Sequence, residues 1–345
     1  MEEKKFDPNS IIGFILIFGI LIWIMYNNQP SQKDIAAEKA KKELVVKEAK
    51  SKEDASKTIT VPATVAVGDT LQMAQLQKSL GNFAYSAALP SAKDAYTTIE
   101  NKLVILKIAN KGGYIVEATL KNFEKFKKGS GELVKLIKDN NANLNIQLFT
   151  SDNHTLNTKD LYFEPTLTKN GEDQILTMRL KSAEDQYLEY KYVLKADNYM
   201  LDFDIQSQGM SKVLNTSKPL NLEWDLKGYT NEKSITTENR YSEMYYEHED
   251  GKSNYMGSGK DKTETVEGVS YIAYKQHFFS SILLTSTPFE KAELYSNNLV
   301  GGDNVDTTYT KQFKATVPLA FKNGEIDQKM NWYYGPTDYK MLKSY

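Results

Sequence analysis

The side chains able to carry chemistry are few and scattered. His154 lies in a polar loop, His248 in an acidic one and His277 inside an apolar run, and none stands two or four residues from another, so metal-ligand spacing is missing. His277 reads as a hydrogen-bonded core histidine. Gly257-Ser258-Gly259-Lys260 suggests a phosphate loop, but Asn254 occupies the place of its first glycine and Asp261 replaces the Ser or Thr that binds magnesium. A plain loop between strands accommodates all of these residues. Glu247, Glu249 and Asp250 resemble the paired carboxylates of sugar chemistry, yet carboxylates so close in a polar loop are ordinarily solvated. Zero cysteine removes thiolate nucleophiles, disulfides, cysteine-ligated metals and acylated cysteine. No catalytic residue, cofactor or metal is expected.

The elements that would position any site are mostly strands. Beyond residue 90 the apolar period is two. Tyr114, Val116, Ala118 and Leu120 share one face after the Gly112-Gly113 turn. Leu144, Ile146 and Leu148 repeat the pattern, as do Leu176, Met178 and Leu180. Leu188, Tyr190, Tyr192 and Leu194 meet Tyr199, Leu201, Phe203 and Ile205 across an Ala196-Asp197-Asn198 turn, which reads as a hairpin. Leu220 to Leu226 follow the same alternation, and so do Phe313 to Phe321, where Pro318 suggests an edge strand. Ile272 to Thr285 is apolar on both faces, as one central strand would be. At least eight such strands without alternating helices predict a mainly β protein, a β-sandwich or open barrel. Many of the 22 tyrosines fall at inward positions, where the ring packs and the hydroxyl is expected to reach the rim.

The first ninety residues read differently. Ile11 to Tyr26 is uncharged and apolar all round, with Ile11, Phe14, Leu16, Phe18, Leu21, Trp23 and Tyr26 as its membrane-facing residues. As a helix this run spans about 24 Å, short of a ~30 Å hydrocarbon core, so Asn9, Ser10 and Asn27 would sit among headgroups. Trp23 and Tyr26 fall where an interfacial aromatic belt belongs. A cleaved signal peptide and a buried core helix are the competing readings; the bulky Tyr26-Asn27-Asn28-Gln29 stretch lacks the small residues of a cleavage site, and a charged tail rather than another element follows the run. Lysine counts on the two flanks leave orientation open, although a short charged N-tail ordinarily stays inside. From Lys33 to Lys57 eight lysines interleave with six carboxylates, a solvated tether rather than a lipid-binding tract. The organisation expected is a tail over 1–10, an anchor over 11–26, a tether over 27–90, a β body over 91–335 and a closing interfacial segment over 336–345. Tyr339, Met341, Leu342 and Tyr345, beside Lys340 and Lys343, carry that last assignment. A net charge of −2 with a pI near 6.1 excludes the usual basic nucleic-acid binder, and a mean hydropathy of −0.53 excludes a polytopic membrane protein.

Four stretches together resemble one family. They are Met1 to Lys5 with Asp7 and Asn9 to Gly13, Gly112-Gly113 followed by Leu120-Lys121, Tyr271 to Phe279, and Tyr334-Gly335-Pro336-Thr337-Asp338-Tyr339. The chain resembles the N-terminal half of the bacterial YidC membrane protein insertases, in their Bacteroidetes form. The resemblance implies a first transmembrane helix with a cytoplasmic N-terminus, then a periplasmic β-supersandwich similar to galactose mutarotase. It implies as partners the lipid bilayer, components of the Sec translocon and nascent membrane proteins, and no nucleic acid. The family places five more transmembrane helices after this part, with a hydrophilic groove and a basic residue that receive the inserting chain. No second hydrophobic run follows Tyr26, so those features have no positions to name here. The expectation is an accessory anchor and scaffold without the insertase core, and not an enzyme. A membrane-anchored carbohydrate-binding or mutarotase-like protein is the alternative.

Overall fold

The computed structural model describes residues 70–249, 251–257, 261–301 and 306–343. The anchor residues Ile11, Phe14, Leu16, Phe18, Leu21, Trp23 and Tyr26 lie outside them, as do the first part of the tether and Tyr345. Among the described residues no helix is long and apolar enough to cross a membrane.

Strands dominate. A four-stranded antiparallel sheet is built in order from β1 (Tyr96–Glu100), β2 (Val104–Ala109), β3 (Ile115–Glu124) and β4 (Leu133–Ile137). A larger sheet follows with β5 (Ala142–Phe149), β6 (Thr155–Asn157), β7 (Glu164–Asn170), β8 (Asp173–Ala183), β9 (Gln186–Leu194), β10 (Met200–Gln208) and β11 (Leu220–Tyr229). It continues with β12 (Ser242–His248), β13 (Lys252–Met256), β14 (Lys262–Gln276), β15 (Phe279–Asn298), β16 (Tyr309–Leu319), β17 (Phe321–Lys322) and β18 (Glu325–Pro336). Its main path runs β6-β5-β11-β16-β15-β18-β10-β9-β8-β7. The small sheet shares one apolar core with the large one, so the body is a sandwich.

The long strand β15 organises the large sheet. Its first part, Phe279–Leu284, pairs with β18, and its last part, Glu293–Asn298, pairs with β16. Between them Pro288 cannot donate to a ladder, and Thr285 Oγ1 donates to the carbonyls of Thr287 at 2.8 Å and Lys329 at 3.2 Å. One strand therefore serves two arms of the sheet.

The predicted β9–β10 hairpin is present in register, and Leu188, Tyr190, Tyr192, Leu194, Leu201, Phe203 and Ile205 are all buried. Four sequence expectations change. The Ile272 to Thr285 run is two strands, β14 and β15, joined by a tight turn at His277-Phe278 with His277 at φ 58°. Because both arms are buried on both faces, the period carries no mark of the turn. β16 is an interior strand rather than an edge. Pro318 pairs with Asn221 of β11 and lies beyond the last β15 partner, Thr316, so no β15 bond is lost there. In β3 the alternation is broken where Lys107 pairs with Glu117 but Ile108 pairs with Ile115. Val116 is the extra residue, and Ile115 takes the inward place.

The fourth change concerns the tether. Its last part is folded: α1 (Thr70–Leu80) packs on a 3₁₀ turn over Gly81–Phe83 and on α2 (Ala84–Ala87), and the turn and α2 pack on β8. Leu76, Leu80, Phe83, Ala84 and Ala87 join the core, and Ser86 Oγ donates to the Tyr162 carbonyl at 2.6 Å. The polar composition of residues 58–90 concealed one apolar stripe.

Aromatic rings fill the sandwich. Trp224 stacks on Tyr274 at 3.7 Å and meets Trp332 edge-on at 4.7 Å, while Tyr192 stacks on Phe203 at 4.9 Å. At three core tyrosines the hydroxyl does not reach the rim as expected. Tyr192 donates to the Gly113 carbonyl at 2.8 Å, Tyr274 to the Trp224 carbonyl at 3.0 Å and Tyr333 to the Pro336 carbonyl at 2.6 Å, all buried. Burial pushes the Tyr192 and Tyr274 pKa values far up, so these hydroxyls are fixed donors.

Candidate functional surface

The residues singled out for chemistry are not brought together. His248 ends β12, and His154 and His277 occupy separate turns. Among the described residues no group of His, Asp and Glu could hold a metal. Glu247 accepts from Ser270 Oγ at 2.7 Å, and Glu249 pairs with Lys252 at 2.7 Å in the β12–β13 turn. Asp250, Ser258, Gly259 and Lys260 lie outside the described residues. His277 is not a hydrogen-bonded core residue. Its ring stacks on Tyr241 at 5.1 Å, its Nδ1 lies 4.0 Å from Glu232, and burial lowers its pKa, so the neutral ring is favoured.

His154 has a structural task. Its Nε2 lies 3.1 Å from the Lys78 carbonyl in the last turn of α1, and its Nδ1 lies 3.1 Å from Asp152 Oδ1. The carbonyl and then the carboxylate raise its pKa. Gly81, at φ 56°, is required there, since a Cβ would stand 2.2 Å from Asp152 Oδ2.

One open feature is a cleft of about 900 Å³ bounded by the β3–β4 hairpin, the β14–β15 turn and the Pro336–Asp338 segment. The last two stretches of the resemblance, Tyr271 to Phe279 and Tyr334 to Tyr339, meet here. Phe279 pairs with Pro336, the Thr337 N–H donates to the Phe278 carbonyl at 2.6 Å, and Ser280 Oγ lies 2.7 Å from Thr337 Oγ1. Gly335 is needed for this closure, because a Cβ would come within 2.7 Å of the Tyr333 ring. After the short helix α3 (Ile235–Arg240) comes α4 (Tyr339–Leu342), which Asp338 caps by accepting the Met341 N–H at 3.0 Å. Within α4, Tyr339 is 75% exposed whereas Met341 and Leu342 pack against the body. Phe126 and Phe278, each 57% exposed, stand at the other two walls.

On the other flank of the β3–β4 hairpin lies a polar cleft of about 570 Å³. Lys138 Nζ and Lys125 Nζ donate to the Tyr229 hydroxyl at 3.1 and 3.5 Å and sit 4.2 and 4.7 Å from the ring centroid. The Lys138 hydrogen bond lowers the Tyr229 pKa. Glu117 bridges Lys107 and Lys135 at 3.2 Å each; burial works against its charge, and the two lysines outweigh it, leaving the pKa below its usual range. Neither cleft was located from sequence. The available signal was Phe126 set among Lys125, Lys127 and Lys128 in a glycine-containing turn, an apolar ring in a segment otherwise built for water.

Fold and surface define a large β-sandwich body with an aromatic-rimmed cleft where its last strand ends. A family model described as the YidC periplasmic domain matches residues 96–345. The membrane protein insertase YidC of Parabacteroides distasonis is 30% identical over 98% of this chain and 53% of its own length. That of Azobacteroides pseudotrichonymphae is 31% identical over 98% of this chain and 51% of its own. The chain belongs to the YidC family of membrane protein insertases, and it spans about half the length of the relatives it matches. Among solved structures it is similar to a galactose mutarotase-like protein from Lactobacillus casei, with a TM-score of 0.40 and 11% identity over 70% of this chain and 100% of that one. A C. elegans aldose epimerase homologue gives 0.37 and 11% over 71% and 100%. No sugar chemistry is carried over from these likenesses.

Proposed function

We propose that this chain forms the N-terminal anchor and periplasmic body of a YidC-type insertase, which helps inner-membrane proteins insert and fold with or without the Sec translocon. The observation that carries the reading is the continuous match of 98% of the chain to proteins named membrane protein insertase, taking in both the apolar N-terminal run and the β body. In this reading residues 11–26 cross the bilayer once, the body lies in the periplasm, and Tyr339, Met341, Leu342 and Tyr345 begin an interfacial segment. The body scaffolds the assembly and offers its surface to Sec components and to emerging membrane proteins, with no catalytic or cofactor chemistry of its own. The engagement of Glu247 by Ser270 and of Glu249 by Lys252 supports a binding rather than a sugar-converting role.

Deletion in the full-length protein tests the assignment. Removing residues 91–330 should leave much of the insertion activity, whereas removing 11–26 or 331–345 should cost more, and the reverse ranking overturns the scaffold role. Protease treatment of spheroplasts checks the orientation: a periplasmic body is digested while the membrane is intact.

A further inference from the structure

We infer that the aromatic-rimmed cleft is a docking face for an anionic phospholipid surface, so that the body rests on the bilayer through its hairpin tips. This inference rests on the membrane-anchored reading above and adds a site to it. Among the described residues seven large apolar side chains are exposed, and Phe126, Tyr241, Phe278 and Tyr339 stand at or beside this one cleft. Three of them occupy tips: Phe126 in the β3–β4 turn, Phe278 in the β14–β15 turn and Tyr339 at the start of α4. Their backbones are held, since the Phe126 N–H donates to the Asn231 carbonyl at 3.1 Å and the Phe278 carbonyl accepts from Thr337. Rigid tips lose little entropy when their rings enter an interface.

Charge selects the occupant. Lys125, Lys127 and Lys128 surround Phe126, and Lys340 and Lys343 flank the other wall. Carboxylates share these segments and keep their charge: Glu124 accepts the Gly129 N–H, Asp338 caps α4 and Glu132 lies 4.0 Å from Lys125, so the lysine surplus rests on Lys127 and Lys128 at one tip and on Lys340 and Lys343 at the other. Glu232, whose pKa is raised by burial, sits in the cleft wall. Protein-binding patches are depleted in lysine at their centres. Aromatic rings on separate tips with lysines between them instead match headgroup depth, where rings are amphipathic and lysine stems snorkel.

The absence of cysteine from the sequence makes single labels clean. The full chain is reconstituted into phosphatidylcholine vesicles, with or without phosphatidylglycerol, bearing the fluorophore NBD at Phe126→Cys, Phe278→Cys, Phe18→Cys or the control Leu167→Cys on β7, the far end of the main sheet path. Nitroxide lipids quench labels that touch the bilayer. The expected result is quenching at 126, 278 and 18 on anionic vesicles and none at 167. In the 278-labelled chain, Lys127→Glu with Lys128→Glu should lower the docked-to-free ratio by about fivefold or more per lysine. Quenching at 18 without quenching at 126 and 278 overturns the docking face and leaves the anchor intact. No quenching at 18 either removes the anchored reading along with it. Equal quenching on neutral vesicles, or a blue-shifted label that lipid quenchers cannot reach, overturns the anionic bilayer as occupant.

Discussion

His154 joins a helix end to a carboxylate, and its protonation state sets how well it does so. Its folded pKa lies above the unfolded value because the Lys78 carbonyl and Asp152 favour the imidazolium. The stabilisation is therefore complete below about pH 6.5, the unfolded value, and is lost as pH rises through the folded one. Asp152 acts in the opposite sense: burial opposes its charge, but Thr150 and His154 outweigh it and lower its pKa, so its contribution disappears as pH falls below about 4. The pair should be strongest between those limits. Urea unfolding of His154→Ala against the parent chain should show a deficit of about 0.5–1 kcal/mol near pH 5.5 that shrinks by pH 8.5. A deficit independent of pH would mean that the ring acts by packing alone.

At the scale of elements, the two sheets are joined by polar contacts inside an apolar core. The Tyr192 hydroxyl of β9 reaches the Gly113 carbonyl in the β2–β3 turn, across the sandwich. Tyr192→Phe keeps the ring and leaves that buried carbonyl without its donor, so unfolding free energy should fall by about 1–2 kcal/mol, measured by denaturant titration. Gly113→Ala should cost at least as much, because Gly113 adopts φ 68° and a Cβ would meet the Phe163 ring at 2.9 Å. Most of the strands were legible in the sequence because one-face burial writes a period of two, as in β9 and β10. The β14–β15 turn was not, since residues on both arms are buried on both faces and His277 is no standard turn residue. The bulge at Val116 was equally hidden, since one extra residue changes spatial register without changing composition. The cleft needed three segments distant in sequence, near residues 126, 278 and 337, and no local pattern signals such a meeting.

At the scale of the whole molecule, the sequence suggests a body starting near residue 91, and the described structure carries folded elements from residue 70. The difference has a physical cost that can be measured. Leu80 and Phe83 are 1% and 0% exposed and with Leu76 they join the core, while the 3₁₀ turn and α2 cover β8. Burying three such side chains is worth about 5 to 9 kcal/mol in transfer free energy, against which stands the entropy of ordering the helical segment. Ser86 adds two bonds, donating to the Tyr162 carbonyl and accepting the Lys181 N–H at 3.3 Å. A fragment starting at residue 91 exposes this apolar surface of β8 and leaves the Tyr162 carbonyl without its partner. A fragment starting at residue 70 keeps both. The longer fragment should therefore melt several degrees higher and bind less of a hydrophobic dye than the shorter one. Equal melting temperatures and equal dye binding would show that α1 and α2 are a removable cover, and would return the start of the folded body to the neighbourhood of Pro90.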